Sequence, residues 1–346
     1  MLSIDLVPYL NSITGASWLF GQEVPEDSRV PTPDQLLSAL PFPPAILGVN
    51  VLVGDADNVS RDVHVQSLAA AHTTAGGIVF MTVHPPNFFD GIQDIGTAWA
   101  ADTNAPKPDL SALLSPSGGV PHARYTRMVS RIIAWVKTLP TSAVVVLRPW
   151  HEANGPWFWW GLDVTNLVRS EAGVRALWLN TMSQVQAACP NVLGGFSWGM
   201  AWYAGIGYGY PGSAVDVVGA SLYSDKMIFA NKFGNDYAIL TGFGKPAVLF
   251  EVGSLNGNLG WDARIIGAAL ATRYPLLCAA NAWQDGFSWM EMANSSVVLN
   301  GSRVVGRAAF CASMPAGYVW AASDPGVRLV SARSVSAGVR IPVWTS

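Results

Sequence analysis

Short apolar segments alternate with amphipathic helical patterns along most of this 346-residue chain. Eight segments are predicted to be strands: 18–20, 45–49, 78–83, 144–148, 193–198, 215–220, 247–251 and 286–290. Between them, apolar residues recur at spacings of three and four and predict helices such as 124–137, 170–188 and 262–274. Eight strands with intervening helices indicate an α/β protein whose parallel strands close into a (β/α)8 TIM barrel.

The composition fits a large buried core and excludes several classes of partner. Half of the residues are hydrophobic, 12% are charged and the formal net charge is -3. Because Lys and Arg form no cluster, we expect neither nucleic acid nor an anionic membrane surface as a partner. No run of about 20 apolar residues occurs that could span a membrane. The three cysteines lie far apart and fit buried apolar positions, so we expect no zinc site and no disulfide framework from them.

Polar and aromatic residues gather where the predicted strands end. In a barrel of this kind the active site lies at the carboxyl ends of the strands. The residues at these ends are His84, Arg148, Glu152, Trp198, Tyr223, Asp225, Glu251, Trp289 and Glu291. The opposite strand ends carry nothing comparable, and this asymmetry is typical of a barrel enzyme.

The segment 148–161 carries the strongest chemical signal in the chain. It begins at the end of an apolar strand with Arg148, His151 and Glu152, and continues into a loop with four aromatic residues at 157–160. A charge at the end of a hydrophobic strand is costly to desolvate, so packing alone rarely explains it. Aromatic planes fit the apolar faces of sugar rings, while the polar groups fit sugar hydroxyls and a glycosidic oxygen. The segment predicts a carbohydrate site.

Two glutamates could supply the chemistry of such a site. Hydrolysis with retention of configuration needs two carboxyl groups about 5–5.5 Å apart, one as acid and one as nucleophile. Glu152 follows the fourth predicted strand and Glu251 ends the seventh, so a barrel could bring both to its mouth. From these residues alone, a structural ion pair with Arg148 is an equally good interpretation.

The segment 148–161 resembles the signature of glycoside hydrolase family 26, whose best-known members are endo-β-1,4-mannanases. Further similarity to this family occurs at 19–22, 77–85, 210–223, 245–253 and 287–289, so the resemblance covers roughly residues 15 to 293. It implies a retaining endo-β-1,4-mannanase that acts on mannan or galactomannan and needs no cofactor. Related enzymes that cleave β-1,3-xylan or mixed-linkage β-glucan share the catalytic motif and remain alternatives, as does a sugar-binding barrel that has lost catalysis.

The resemblance also implies roles for individual residues. Glu152 would be the acid/base and Glu251 the nucleophile, held ionised by Arg148 and hydrogen-bonded by Tyr223. His84 and His151 would contact the sugar at the cleaved bond, Trp157 would stack on the leaving-group side, and Trp289 would form the floor under the reacting sugar. Trp160 and Trp198 are further candidates for sugar contacts.

One position departs from the family pattern. The sixth strand of the family commonly continues Gly-x-Asp-x-Tyr, whereas this chain has Ser221 where the carboxylate is usual. A missing charge near His151 and Glu152 would alter their titration. The remaining histidines, His64, His72 and His122, lie in or beside helical patterns and are expected on the surface.

The pattern of the chain changes after about residue 293. We predict a catalytic barrel over 1–293 and a small β-rich C-terminal extension over 294–346 that packs on it, with a helix near 306–312. The family implies secretion and a monomer. The first residues have no basic region ahead of their apolar residues, so no signal peptide is recognised and a leader could have been removed.

Overall fold

A computed structural model describes residues 2–25, 32–51, 53, 63–91, 95–199, 204–223, 233–253, 262–284, 287–313, 318–320 and 329–331. The helices in this part of the chain are α1 (Leu2–Ile13), α2 (Pro33–Ser38), α3 (Val63–Thr74), α4 (Ser111–Leu114), α5 (Val120–Val136), α6 (Leu167–Ala188), α7 (Phe233–Gly242), α8 (Arg264–Thr272), α9 (Ser295–Leu299) and α10 (Arg307–Ser313). The strands are β1 (Trp18–Glu23), β2 (Ile46–Val51), β3 (Ile78–Val83), β4 (Val144–Arg148), β5 (Val192–Trp198), β6 (Val217–Tyr223), β7 (Ala247–Gly253), β8 (Leu277–Ala282), β9 (Val304–Val305), β10 (Tyr318–Trp320) and β11 (Leu329–Ser331).

The first eight strands form a closed parallel barrel, which confirms the predicted fold. Each strand from β2 to β7 pairs in parallel with the next along the chain. The ring closes because β1 pairs with both β2 and β8, with Gly21 opposite Ile46 on one side and Asn281 on the other. The carboxyl ends of all eight strands therefore meet at one rim.

The barrel interior is packed by apolar side chains, and glycines make room for the largest of them. The rings of Phe80 and Phe250 lie 5.0 Å apart. A Cβ at Gly195 would stand 2.9 Å from the Phe250 ring, and one at Gly219 would stand 2.4 Å from it. Two neighbouring strands, β5 and β6, thus carry glycines where one phenylalanine fills the centre.

The predicted long helices cover the outside of the barrel. The prediction of a helix at 124–137 is confirmed by α5, and those at 170–188 and 262–274 are confirmed by α6 and α8. Helix α5 buries one apolar stripe, which includes Tyr125, Met128 and Ile132. The hydroxyl of Tyr125 donates to Asn180 of α6 at 2.7 Å, which joins the two neighbouring helices. No helix in the described ranges has the length and apolar character needed to cross a membrane.

The predicted eighth strand at 286–290 is wrong. The eighth strand is β8, and residues Trp289–Glu291 form a turn of 3₁₀ helix instead. The sequence of β8, Leu-Cys-Ala-Ala-Asn-Ala, contains no β-branched or aromatic residue, so propensity did not reveal it. It forms a strand because β7 and β1 pair with it on both sides. The residue that follows the last barrel strand is therefore Trp283.

The expectation of a surface position is also wrong for His72. Its side chain is buried on the inner side of α3, where Gly77 leaves room: a Cβ there would lie 2.1 Å from His72 Nε2. That nitrogen lies 3.3 Å from the carbonyl oxygen of Ala45. Of the cysteines, Cys189 and Cys278 are buried free thiols, as expected.

Part of the predicted C-terminal extension is attached to the barrel. Strand β9 pairs in parallel with β1, and Phe310 of α10 packs edge-on against Tyr9 at 5.0 Å. The short strands β10 and β11 pair with each other in antiparallel orientation. Most of the residues after 313 lie outside the described ranges, so the division at residue 293 stays a prediction.

The packing of the barrel centre can be tested with a glycine substitution. Gly219→Ala should destabilise the protein by about 1–3 kcal/mol, because the new methyl group would meet both the Phe250 ring and the backbone oxygen of Val248. Gly242→Ala, where nothing lies within 4 Å of the new Cβ, is the matched control and should be neutral or slightly stabilising. Urea denaturation measures both, and equal effects would contradict this account of the interior.

Candidate active site

The structure brings the predicted chemical groups to one rim of the barrel. Arg148 ends β4, Tyr223 ends β6 and Glu251 lies near the end of β7. His84 follows β3 directly, and Glu152 lies in the turn after β4. This is the arrangement that a closed parallel barrel imposes on residues at its strand ends.

Arg148 is the centre of the site. Its side chain is fully buried, and its guanidinium group contacts both glutamates: Nη1 donates to Glu251 Oε1, and Nη2 lies 3.8 Å from Glu152 Oε1. Three hydroxyl groups accept further hydrogen bonds from it: Ser197 from Nε at 2.5 Å, Ser221 from Nη2 at 2.6 Å and Thr82 from Nη1 at 3.5 Å. One buried cation thus holds both carboxyl groups on the same side of the barrel mouth.

Glu251 is held by two donors, one for each carboxyl oxygen. Arg148 occupies Oε1, and the hydroxyl of Tyr223 donates to Oε2 at 2.6 Å. Burial and the charge of Glu251 raise the pKa of Tyr223 well above its ordinary value, so this hydroxyl keeps its proton and remains a donor. A carboxylate with a fixed orientation and two donors is suited to act as a nucleophile.

Glu152 has a different environment. Its backbone is in the left-handed region, at φ 53°, and its N–H donates to the carbonyl oxygen of Ser197 at 3.0 Å. The indole N–H of Trp157 donates to Glu152 Oε2 at 2.8 Å. Burial, followed by the charge of Glu251, raises the pKa of Glu152 to about 7. A carboxyl group that is still protonated near neutral pH can donate a proton.

Buried charged residues hold the loop that carries the four aromatic residues 157–160, the aromatic loop, in place. Lys107 Nζ donates to the carbonyl oxygen of Pro156 at 2.7 Å, and the carboxylate of Asp163 accepts from Arg169 at 2.7 Å and from the backbone of Thr165 at 2.9 Å. In addition, the N–H of Ala100 donates to the carbonyl oxygen in the backbone of Trp157 at 2.7 Å. These bonds hold the loop that places Trp157 against Glu152.

Two neutral histidines line the site beside Glu152. The Nε2 atoms of His84 and His151 lie 3.1 Å apart, and His84 Nδ1 lies 3.1 Å from Asn50 Oδ1. Burial, followed by the charge of Arg148, lowers the pKa of His84 to about 3 and that of His151 well below its ordinary value. Trp99 stacks on the His84 ring at 5.4 Å and is half exposed.

The remaining predicted tryptophans are not open to a ligand in this structure. Trp160, Trp198 and Trp289 are fully buried. Trp289 packs against Trp18 at 5.9 Å, and its indole N–H donates to the carbonyl oxygen of Gly21 at 2.8 Å. The role predicted for Trp289 came from the family resemblance, in which 287–289 matched the eighth strand. The structure gives it a packing position and leaves its predicted sugar contact unsupported.

Sequence reasoning missed residues that belong to the same rim. Trp283 follows β8, and its ring lies 5.8 Å from that of His84. Glu23 ends β1 and is buried, and its Oε2 accepts from Asn281 Nδ2 at 3.2 Å. Glu23 is a charge at the end of an apolar run, which is the signal used for the other strands. It was missed because the first strand was predicted to end at residue 20, three residues before the end of β1. Asn50 and Ser197 give no such signal.

The described residues contain no group of three or more His, Cys, Asp or Glu side chains that could hold a metal ion. Within this part of the chain, the chemistry available at the rim is that of three carboxyl groups, an arginine, a tyrosine hydroxyl, two histidines and partly exposed aromatic rings.

Comparison with known proteins identifies the family. The family model described as glycosyl hydrolase family 26 matches residues 2–308. The chain belongs to this family. It is therefore a glycoside hydrolase built on a (β/α)8 barrel.

Relatives with assigned names agree with this membership. The mannan endo-1,4-beta-mannosidase of Bacillus subtilis strain 168 is 29% identical over 267 residues, which are 74% of this chain and 70% of that protein. An enzyme of the same name from Thermothelomyces thermophilus is 31% identical over 163 residues, 45% of this chain and 32% of that protein.

Solved structures show the same fold. The Bacillus subtilis mannanase BCman has a TM-score of 0.73 at 23% identity, over 88% of this chain and 92% of that chain. A Cellulomonas fimi endo-beta-1,4-mannanase has a TM-score of 0.69 at 20% identity, over 89% of this chain and 76% of that chain.

The buried acid Glu23 gives a test of the electrostatics below the site. Burial, followed by the charge of Glu251, raises the pKa of Glu23 well above its ordinary value of 4.5, so the folded enzyme binds a proton that the unfolded chain releases above about pH 4.5. The contribution of Glu23 to the free energy of unfolding therefore falls by about 1.4 kcal/mol for each pH unit between 4.5 and the pKa of Glu23 in the folded enzyme. Glu23→Gln should be more stable than the wild type at neutral pH, with a gap that grows with pH.

Urea denaturation at pH 5, 6 and 7 measures this gap. Glu171→Gln, which changes a carboxylate on the exposed face of α6, is the control and should leave the pH dependence nearly unchanged. A Glu23→Gln protein that is less stable at every pH would show that Glu23 is ionised in the folded enzyme.

Proposed function

We propose that this enzyme is a retaining endo-β-1,4-mannanase in which Glu152 is the acid/base and Glu251 is the nucleophile. The observation that carries the proposal is the contact of one buried arginine, Arg148, with both glutamates. Around this shared cation, Glu251 has a hydrogen-bond donor on each oxygen, while Glu152 has a raised pKa. Paired carboxyl groups with different environments are what a two-step glycoside hydrolysis requires.

In the first step Glu251 attacks the anomeric carbon of the sugar. The bond from this carbon to the glycosidic oxygen breaks, and Glu152 donates its proton to the departing oxygen. Trp157 donates a hydrogen bond to Glu152 and so holds the carboxyl group toward the leaving-group side. The product of the step is a sugar joined through an ester bond to Glu251.

In the second step water replaces the ester. Glu152, now ionised, takes a proton from the water while the water oxygen attacks the anomeric carbon. The ester bond breaks and its electron pair returns to Glu251. Both steps invert the carbon, so the product keeps the β configuration.

The mannan specificity is supported by the relatives and by the shape of the surface. Both relatives described above carry the name mannan endo-1,4-beta-mannosidase. Beside the aromatic loop lies a cavity of about 590 Å³, lined by residues that include Trp99, Asp102 and Lys107. Aromatic and polar groups around an open cavity fit the alternating apolar faces and hydroxyls of further sugar units. We also propose that the enzyme is secreted, since intact polysaccharides do not cross membranes. We further propose that it acts as a monomer.

A substrate panel tests the reaction and its specificity. Mannan, galactomannan, β-1,3-xylan and lichenan are incubated with the enzyme, and reducing ends are measured. We expect the two mannans to be cleaved fastest and labelled mannohexaose to be cut internally. Faster cleavage of β-1,3-xylan or lichenan would change the assigned substrate. Binding to all four without cleavage would indicate a sugar-binding barrel.

The roles of the two glutamates can be separated with azide. Glu152→Ala should lower the rate on mannan by about 10²- to 10⁴-fold, and Glu251→Ala by at least as much. On a dinitrophenyl β-mannobioside, whose leaving group needs no proton, azide should rescue Glu152→Ala to give a β-azide. It should rescue Glu251→Ala to give an α-azide, because the azide then takes the place of the nucleophile.

The stereochemistry of these azides, read by NMR, decides the assignment. Exchange of the two products between the variants would reverse the roles of the glutamates. Isothermal titration with mannohexaose serves as the control, since both variants should still bind it.

Trp99 tests whether the cavity binds further sugar units. Trp99→Ala should raise KM for mannohexaose about tenfold, equivalent to ~1.4 kcal/mol, with a smaller effect on mannotriose, because only the longer substrate reaches the cavity. Leu179→Ala, which truncates an exposed apolar residue on α6, is the control. An equal rise in KM for mannohexaose and mannotriose would show that Trp99 acts only through His84.

A further inference from the structure

Ser221 lies between the two groups that control proton transfer. It is buried at the end of β6, and its hydroxyl oxygen accepts from Arg148 Nη2 at 2.6 Å. The same nitrogen, Arg148 Nη2, lies 3.8 Å from Glu152 Oε1, so the Ser221 hydroxyl and the Glu152 carboxyl group share one end of the guanidinium group, and the hydroxyl favours the ionised form of that carboxyl group. A shift in register between Ala220 and Ser221 brings Ser221 opposite Glu251 in the neighbouring strand. The serine thus touches the arginine and the acid/base while standing beside the nucleophile.

The direction of these hydrogen bonds is fixed by the protons available. A guanidinium group can only donate, so the bond from Arg148 uses a lone pair of the Ser221 oxygen. The single hydrogen of this hydroxyl then remains for Glu152. Ser221 is therefore a donor to Glu152, and its orientation is determined by the buried arginine.

A donor to a carboxyl oxygen stabilises the ionised form more than the protonated form. Other charged or polar groups near Glu152 come from four elements. Glu251 of β7 favours the protonated form, while Arg148 of β4 and the indole N–H of Trp157 favour the ionised form. Tyr223 of β6 keeps its proton, and His151 beside Glu152 is neutral. Ser221 adds an uncharged donor to this set, and its position is set by Arg148.

We propose that Ser221 is a positioning residue for Glu152, and that its hydroxyl favours the step in which Glu152 acts as a base. The proposal rests on the roles proposed above for Glu152 and Glu251. In that step a water proton passes to Glu152, the water oxygen bonds to the anomeric carbon, and the bond from this carbon to Glu251 breaks. Glu251 carries no charge while it is esterified, so Arg148 and the hydroxyl of Ser221 can act together on Glu152.

Ser197 provides a matched control. It is also a buried serine, and it also accepts a hydrogen bond from Arg148, at 2.5 Å from Nε. It meets Glu152 through its backbone, where its carbonyl oxygen accepts from the Glu152 N–H at 3.0 Å, and Ser197→Ala leaves that bond in place. Removal of either hydroxyl takes one acceptor from Arg148, whereas removal of the Ser221 hydroxyl also takes a donor from Glu152.

The experiment compares Ser221→Ala, Ser221→Cys and Ser197→Ala with the wild type over a range of pH. On dinitrophenyl β-mannobioside the leaving group needs no acid, so kcat follows the step in which water attacks while Glu251 is esterified. The acidic limb of the pH profile of kcat therefore gives the pKa of Glu152 acting as the base. The alkaline limb of kcat/KM on mannohexaose reads the acid in the free enzyme. Loss of one hydrogen bond to a charged group corresponds to at least about tenfold in an equilibrium constant.

For Ser221→Ala we therefore expect both limbs to move upward by about one pH unit. Ser221→Cys, nearly the same size but a weaker donor, should move them by less. Ser197→Ala should leave both limbs in place even if it lowers the rates.

Unchanged limbs in Ser221→Ala and Ser221→Cys, or an equal shift in Ser197→Ala, would overturn the proposal. If Ser221→Ala fails to fold, the shift in Ser221→Cys decides. A wild type that cleaves neither substrate would instead overturn the proposed function, so the two failures can be told apart.

Discussion

The active site depends on one buried cation. Arg148 is fully buried at the end of β4, and such a charge is stable only when its hydrogen bonds and its charge are both satisfied. Four other strands supply what it needs: Thr82 from β3, Ser197 from β5, Ser221 from β6 and Glu251 from β7. Removal of one partner from a buried ion pair typically costs about 3–5 kcal/mol, because it leaves the other charge uncompensated. The position of the catalytic groups is therefore tied to the stability of the barrel.

The floor of the site explains why the interior of the barrel has its particular packing. The guanidinium carbon of Arg148 lies 5.4 Å from the centre of the Phe250 ring, which thus supports the cation from below. This ring fits only because Gly195 and Gly219 carry no side chain. Phe250 also precedes Glu251 in the chain, and its carbonyl oxygen accepts from Asn281, which in turn donates to Glu23. The apolar centre and the polar rim are therefore parts of one arrangement, and a change in either alters the other.

Much of the fold and of the site could be predicted from the sequence where a local signal coincided with a structural need. The run at 144–148 predicted both a buried strand and a charge at its end, and β4 with Arg148 confirms both. Prediction failed where long-range pairing determines the structure. β8 is rich in alanine and becomes a strand through its two neighbours, so Trp283 was missed and Trp289 was misplaced. His72 was placed on the surface because its burial depends on the space that Gly77 leaves beside it and on the carbonyl oxygen of Ala45, which is distant in the sequence. The strained backbone of Glu152 and the bridging position of Ser221 have no sequence pattern at all.

In the proposed mechanism the shared arginine also explains how negative charge can pass between the two carboxyl groups. In the resting enzyme the charge of Arg148 is balanced by Glu251, while Glu152 is protonated below about pH 7. In the proposed glycosyl-enzyme Glu251 would be an ester, and the balancing charge would be on Glu152. The proposed steps therefore move one negative charge from one side of the guanidinium group to the other, and the net charge of the site does not change. Because Arg148 contacts both carboxyl groups, this transfer needs no large movement of a buried ion. It also requires Glu23 to stay neutral, since a third carboxylate would have no cation to balance it and would oppose ionisation of Glu152.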